Sequence, residues 1–165
     1  MKENSALSTE RSSSAEPVKI DLGHFAPYLV SRLHTHFQNL LLETLNPYEL
    51  LVADWRTLIC LSRHETACIN DIVHFTSLPQ ATVSRSVMRL QKRGLLMKTD
   101  AKDDKRASLV CISRAGRELL QRSIRQLRPA AQAELRRLIG SDSEVFLEML
   151  REAVRNSGLE TVHDL

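Results

Sequence analysis

The stretch that decides the fold reads Pro79-Gln80-Ala81-Thr82-Val83-Ser84-Arg85-Ser86-Val87-Met88-Arg89-Leu90-Gln91-Lys92-Arg93-Gly94. Val83, Val87 and Leu90 recur at helical spacing, so the segment predicts an amphipathic helix with one apolar stripe. Gly94 predicts where that helix stops. The other face carries side chains that can reach base edges and phosphates of DNA. These candidate DNA-binding residues are Gln80, Thr82, Ser84, Arg85 and Arg89.

A charged hairpin is predicted directly after this helix. Residues 95–99 and 107–112 are rich in strand formers, and the polar run 100–106 lies between them. Lys102, Lys105 and Arg106 would make its tip a basic wing. Residues 77–106 contain eight Lys and Arg against three Asp, a net charge of +5, whereas the whole chain carries only +3. Because the positive charge is concentrated here, the pattern is typical of a nucleic-acid footprint.

Helices are predicted on both sides of this segment. A helix from about 48 or 52 to 63, a short helix over about 69–75 and a turn at 76–78 precede the opening helix, which is the order of a helix-turn-helix. A first helix should begin near 25–27 and end before Asn46-Pro47. After the hairpin, Ser113 should cap a long helix that Pro129 kinks or splits. Gly140 should stop it, and residues 141–144 match a capping box for a last helix ending near 156–158.

These elements predict a mainly α protein with a small β-hairpin wing (α+β). The architecture would be a winged helix-turn-helix with N- and C-terminal dimerisation helices. We expect a disordered arm over 1–20 and a single domain over 21–165. Within that domain the winged helix-turn-helix lobe would span about 48–113, and the dimerisation helices about 24–46 and 114–157. The apolar faces of these outer helices favour a homodimer, which would also set two recognition helices about one DNA turn apart.

Several protein classes are disfavoured by the sequence. No apolar run is long enough to span a membrane. The cysteine count is odd, with Cys60, Cys68 and Cys111, and no signal peptide is recognisable, so we expect a cytoplasmic protein with reduced thiols. Glycine-rich phosphate loops, zinc-protease motifs and nucleophile elbows are missing, so we expect no enzyme, no cofactor and no bound metal.

The order of motifs resembles the MarR family of winged helix-turn-helix transcriptional regulators. The resemblance is carried by Ala53-Asp54-Trp55-Arg56-Thr57-Leu58, Thr82-Val83-Ser84-Arg85-Ser86-Val87, Arg89-Leu90, Arg93-Gly94-Leu95, Asp104-Lys105-Arg106-Ala107 and Ile112-Ser113-Arg114-Ala115-Gly116. It implies an obligate dimer on a pseudo-palindromic operator, with recognition helices in the major groove and wings at the minor groove. The family's Asp-x-Arg wing motif falls on Asp104 and Arg106. Pro79-Gln80-Ala81 departs from the more polar residues that the family often has at this place.

The resemblance also implies a small-molecule effector, often an aromatic or phenolic acid, whose binding releases a repressor from DNA. The candidate effector-binding residues are Arg32, His34, Phe37, Trp55 and Arg56.

Two alternatives stay open. One is a winged-helix module that binds protein, and the other is a redox- or metal-responsive regulator of the same fold. Cys68 is the better thiol for redox sensing, because Cys60 and Cys111 lie in apolar runs and should be buried. The spacing of Cys60, His64 and Cys68 suits a metal only if one helix carries all three.

Overall fold

The computed structural model describes residues 20–99 and 109–158. The chain divides into two compact units, the first ending at His34 and the second beginning at Thr35. The helices are α1 (Ala26–Leu45), α2 (Val52–Arg63), α3 (Ile69–Thr76), α4 (Gln80–Lys92), α5 (Arg114–Ile139) and α6 (Ser143–Asn156), and the strands are β1 (Leu96–Thr99) and β2 (Leu109–Ile112). Short 3-10 helices occupy Leu22–His24, Asn46–Tyr48 and Gly140–Asp142. The predicted fold class, mainly helical with one small hairpin, is confirmed.

The helix-turn-helix forms where the sequence predicts it. Helix α3 ends at Thr76, and Ser77 closes it in a left-handed conformation with φ of 54°. Helix α4 starts three residues later, directly after Pro79. The two helices pack with α2 around one apolar core. Its fully buried side chains include Leu45, Leu58, Leu61, Ile72, Val83 and Leu90.

The hairpin lies against this core through one of its faces. β1 and β2 pair antiparallel, with Leu96 opposite Ile112, and both side chains are buried. Ala67, between α2 and α3, adds a bridge to Val110 through two backbone hydrogen bonds of 3.0 Å. The two strands are therefore fixed to the helix-turn-helix. The predicted tip of the wing lies outside the described residues.

The start of α5 is set by Ser113 and Gly116. Ser113 Oγ accepts a hydrogen bond from the Gly116 backbone N–H (3.0 Å), as expected of an N-cap, and donates one to the Gly94 carbonyl (2.7 Å). A Cβ on Gly116 would lie 2.3 Å from the carbonyl oxygen of Leu95. Glycine is therefore required because the first turn of α5 packs directly on the backbone that follows α4.

The C-terminal helices depart from the sequence expectations at Pro129 and at the start of α6. Helix α5 is not split at Pro129 but continues to Ile139, since a proline removes only its own N–H bond while its neighbours keep theirs. A kink at Pro129, the other half of that expectation, stays a prediction. The capping box at 141–144 does not form. The chain tightens instead into the 3-10 helix Gly140–Asp142, and Asp142 precedes α6 without a side-chain capping bond.

A carboxylate joins the second half of α1 to α5. Glu134 bonds His36 Nε2 through Oε1 (2.5 Å) and accepts two bonds from Arg137, of 2.9 Å and 2.6 Å. These partners stabilise the charged form, chiefly the Arg137 guanidinium and then His36, and lower the pKa of Glu134 to about 2. The contact holds part of the predicted dimerisation region together within the second unit.

Apolar side chains remain uncovered on the outer helices. In the first unit Phe25, Leu29 and Val30 are exposed, and on α6 Val145 and Met149 are 63% and 64% exposed. Patches of this kind mark interaction surfaces more often than single exposed residues do. Within the described ranges, no helix combines the length and the apolar character needed to cross a bilayer.

Candidate nucleic-acid interface

Helix α4 presents one buried face and one open stripe. Val83, Ser86, Val87 and Leu90 are buried against the core. On the opposite side four exposed positions recur every three or four residues, which places them on one line along the helix. These residues, called the outward stripe below, are Ala81, Arg85, Met88 and Lys92. Two positive charges and two apolar side chains therefore share the accessible face.

Arg85 is pre-oriented on this stripe. Its Nε donates to the carbonyl oxygen of Ala81 at 3.0 Å, which lays the side chain back along the first turn of α4. Its two terminal nitrogens make no hydrogen bond with the described part of the chain. A guanidinium held in this way keeps a planar pair of donors for a ligand such as the O6 and N7 edge of guanine.

A buried carboxylate ties α4 to α2. Asp54 is 0% exposed, and its Oδ1 accepts from Ser86 Oγ (2.7 Å) and Arg89 Nη2 (2.5 Å). Its Oδ2 accepts from Arg89 Nε (2.9 Å) and from the backbone N–H of Leu51 (3.1 Å), which precedes α2. All four bonds go to a charged acceptor, and such bonds are the stronger kind. Asp54 therefore caps the start of α2, and the same carboxylate fixes the position of α4.

Arg89 consequently lies beside the outward stripe and not on it. Its side chain is 37% exposed and uses two nitrogens on Asp54, whose hydrogen bonds raise the pKa of Arg89. Its predicted DNA contact stays a prediction, and only its remaining nitrogen is left for that contact. Arg93 is held similarly, because its guanidinium donates to the carbonyls of Tyr48 (3.0 Å) and Glu49 (2.5 Å).

The remaining candidate DNA contacts have different settings. Gln80 is the exposed first residue of α4, while Thr82 and Ser84 are half-buried on its flanks. Lys102, Asp104, Lys105 and Arg106 lie outside the described residues. Sequence reasoning placed neither Ala81 nor Met88 on a face of this helix, although their spacing from Arg85 would have put them on the polar side.

The five candidate effector residues are divided between the two compact units. Arg32 and His34 belong to the first unit and are exposed. In the second unit Phe37, Trp55 and Arg56 are half-buried, and Trp55 packs against the core. The buried indole N–H of Trp55 finds no acceptor among the described residues.

Helix α5 carries a second positive surface that the sequence analysis did not weigh. It contains seven arginines and two glutamates, a net charge of +5, equal to that of residues 77–106. The positive charge of the chain is therefore not concentrated in residues 77–106 alone, as the sequence analysis had inferred. A cavity of about 420 Å³ opens on this helix. It is lined by Gln121, Ile124, Arg125, Arg128 and Pro129.

A second cavity, of about 410 Å³, lies beside α3. It is lined by His64, Thr66, Ala67, Asp71, His74 and Phe75. Asp71 accepts the Cys68 backbone N–H at 2.8 Å, and this bond is the main reason why the pKa of Asp71 is lowered. Across residues 20–99 and 109–158, no three metal-ligating side chains converge on one point. Cys60 is buried, whereas Cys68 and Cys111 are half-buried, so the expectation that Cys111 is buried was only partly met.

Comparison with known proteins agrees with this geometry. Residues 52–108, from α2 to the wing, match the model of the MarR family. A MarR-family transcriptional regulator from Silicibacter pomeroyi is 27% identical over 87% of this chain and 95% of its own, with a TM-score of 0.65. No curated protein matches the chain.

Two further solved structures share the fold. Bordetella bronchiseptica BpsR, whose DNA binding is regulated by 6-hydroxynicotinic acid, is 23% identical, with 78% and 97% of the two chains covered and a TM-score of 0.68. A mutant of Escherichia coli MarR, complexed with operator DNA, is 21% identical, with 78% and 91% covered and a TM-score of 0.68. At this level of identity the likeness extends to the fold alone.

The contribution of Asp54 can be separated from helix capping by a matched pair of variants. Asp71 accepts the N–H that precedes α3 just as Asp54 does for α2, but Asp71 is exposed. Asp71→Ala should therefore cost only a cap, about 1 kcal/mol of unfolding free energy. Asp54→Ala should cost about 1–3 kcal/mol more, because the buried Ser86 hydroxyl and Arg89 also lose their charged acceptor. Urea unfolding measures both, and equal losses would contradict the proposed tie between α2 and α4.

Proposed function

We propose that this chain, whose residues 52–108 match the MarR family model, is a dimeric, sequence-specific DNA-binding transcriptional regulator of that family. We further propose that it acts in the cytoplasm as a repressor that a small organic anion releases from a pseudo-palindromic operator. The outward stripe of α4 is the observation that carries the proposal.

The stripe has the properties that major-groove recognition needs. It projects from a helix that Asp54 and Arg93 hold rigidly against α2 and the turn before it. Lys92 supplies charge for a phosphate, and the free end of Arg85 supplies paired donors for a base. Phosphate contacts provide affinity and base contacts provide specificity. An oriented guanidinium beside open positive charge favours a polyanionic partner such as DNA.

Duplex selection followed by a salt titration tests the proposal. The full-length protein should select related duplexes from a random library, and its affinity should fall steeply with salt. Arg85→Ala should lose roughly tenfold or more in affinity for the selected duplex and relax the preference at one base pair per half-site. Arg151→Ala, an exposed arginine paired with Glu148 on α6, is the control and should bind as wild type does.

Two results would count against this proposal. Binding with little dependence on salt would favour the protein-interaction module. Equal affinity and specificity of wild type and Arg85→Ala would mean that the recognition surface is assigned to the wrong residues.

Dimerisation is proposed from the uncovered apolar face of α6. Val145 and Met149 point away from the described chain, while Phe146 and Leu147 on the same helix are half-buried. A two-fold related copy would cover this face with the same face, as isologous interfaces do. The charged side of α6, which includes the Glu148–Arg151 pair, remains available for solvent.

A charge-insertion pair tests the dimer. Val145→Glu combined with Met149→Glu should convert the protein into a folded monomer, because both side chains are exposed within one chain but would be buried in the dimer. Arg151→Glu changes the charge of the same helix on its polar side and should leave the dimer intact. Sedimentation equilibrium measures the mass, and a double variant that still sediments as a dimer would refute the role of α6.

Effector release is proposed as a population shift. The effector must bind more tightly to dimers whose recognition helices are misplaced than to dimers competent for DNA. The cavity on α5 supports an organic anion as the effector, because Arg125 and Arg128 stand beside the apolar Ile124 and Pro129. Its volume of about 420 Å³ lies in the range of small-molecule sites. The unpaired indole N–H of Trp55 offers a second place where an acceptor would be favourable.

A melting-shift screen of benzoate-type acids tests the effector class. A true effector should raise the melting temperature of the wild type and weaken its DNA binding. The Arg125→Ala, Arg128→Ala double variant should lose both responses, whereas Arg136→Ala, an exposed arginine further along α5, should keep them. If thiol oxidation or added metal releases DNA while no acid does, the redox- or metal-responsive alternative replaces the proposal.

A further inference from the structure

We propose that Met88 is a specificity-determining residue that reads the 5-methyl group of a thymine next to the base pair read by Arg85. This inference rests on the proposed DNA-binding function and goes beyond it by naming the base chemistry of the half-site. It also gives a role to the apolar part of the outward stripe.

The position of Met88 is the first support. Its side chain is 61% exposed and lies on the outward stripe, three residues after Arg85. Three helical residues advance about 4.5 Å along the axis, close to the roughly 3.4 Å between successive base pairs along a strand. When α4 lies in the major groove with Arg85 on one base pair, Met88 reaches the next.

The chemistry of the stripe is the second support. Thymine is the base that presents an apolar group in the major groove, and apolar side chains are its natural contact. Methionine is unbranched and polarizable, so it can follow the methyl group without a fixed rotamer. Ala81, on the other side of Arg85, extends the apolar surface.

The pairing of Arg89 with Asp54 is the third support. Arg89 follows Met88 directly and would compete for the same base pair if it were unattached. Its two bonds to Asp54 draw it toward α2 instead. The position next to Arg85 on the outward stripe is thereby left to Met88, an apolar side chain that cannot satisfy a polar base edge.

Uracil substitution isolates the methyl group. In the duplex selected by the wild-type protein, each thymine is replaced in turn by deoxyuridine, symmetrically in both half-sites, and the dissociation constant is measured at one salt concentration. Each methyl group that loses its contact should weaken binding about fourfold, the value of one buried methylene-sized group. We expect this penalty at the thymine adjacent to the guanine that Arg85→Ala ceases to discriminate.

Two substitutions of similar size test whether Met88 carries the effect. Met88→Leu should keep the uracil penalty at that thymine because leucine is apolar. Met88→Gln should abolish it, so that thymine and uracil duplexes bind equally. Both residues are good helix formers at an exposed position, and thermal melting should confirm that the variants fold as the wild type does.

The outcomes separate the inference from the function on which it rests. A uracil penalty at the same thymine in Met88→Gln, or no penalty at any thymine in the wild type, would overturn the role of Met88 while DNA binding stands. If the wild type selects no duplex at all, the proposed function falls and this inference falls with it.

Discussion

The arrangement of the helix-turn-helix depends on one buried carboxylate, that of Asp54. A charge without solvent is costly unless hydrogen bonds surround it. Here both oxygens have two donors each, one from the start of α2 and three from side chains of α4. Ser86 also donates to Thr57 Oγ1 at 3.1 Å, which extends the network into α2. Because the donors come from two helices, the carboxylate is satisfied only when α2 and α4 take one particular relative position.

This constraint divides the arginines of α4 into two kinds. Arg89 and Arg93 point back into the protein and hold the helix at its middle and its end. Among residues 20–99 and 109–158, Arg85 bonds only to its own helix and keeps its terminal nitrogens outward. A recognition helix that is fixed before it meets DNA loses less entropy on binding, so more of its contact energy appears as affinity.

Much of the fold follows from local rules that can be read directly from the sequence. The apolar spacing of α4, the cap at Ser113 and the stop at Gly140 act within a few residues, and each appears where it was predicted. The capping box before α6 failed because the same residues can also form a tighter 3-10 turn, and sequence alone does not rank the two. The partnership of Arg89 with Asp54 spans 35 positions, so Arg89 was assigned to DNA together with Arg85. The apolar residues of α6 were predictable from their helical spacing, whereas their exposure within one chain was not.

The most direct test of this account is a crystal structure of the dimer bound to its selected duplex. Arg85 and Met88 should lie in the major groove, with the terminal nitrogens of Arg85 on a guanine edge. Arg89 should remain on Asp54, with both of its bonds intact. An Arg89 that leaves Asp54 to bind a base, or a groove that α4 enters by another face, would contradict the claim that Asp54 fixes the recognition helix and reserves the outward stripe for DNA.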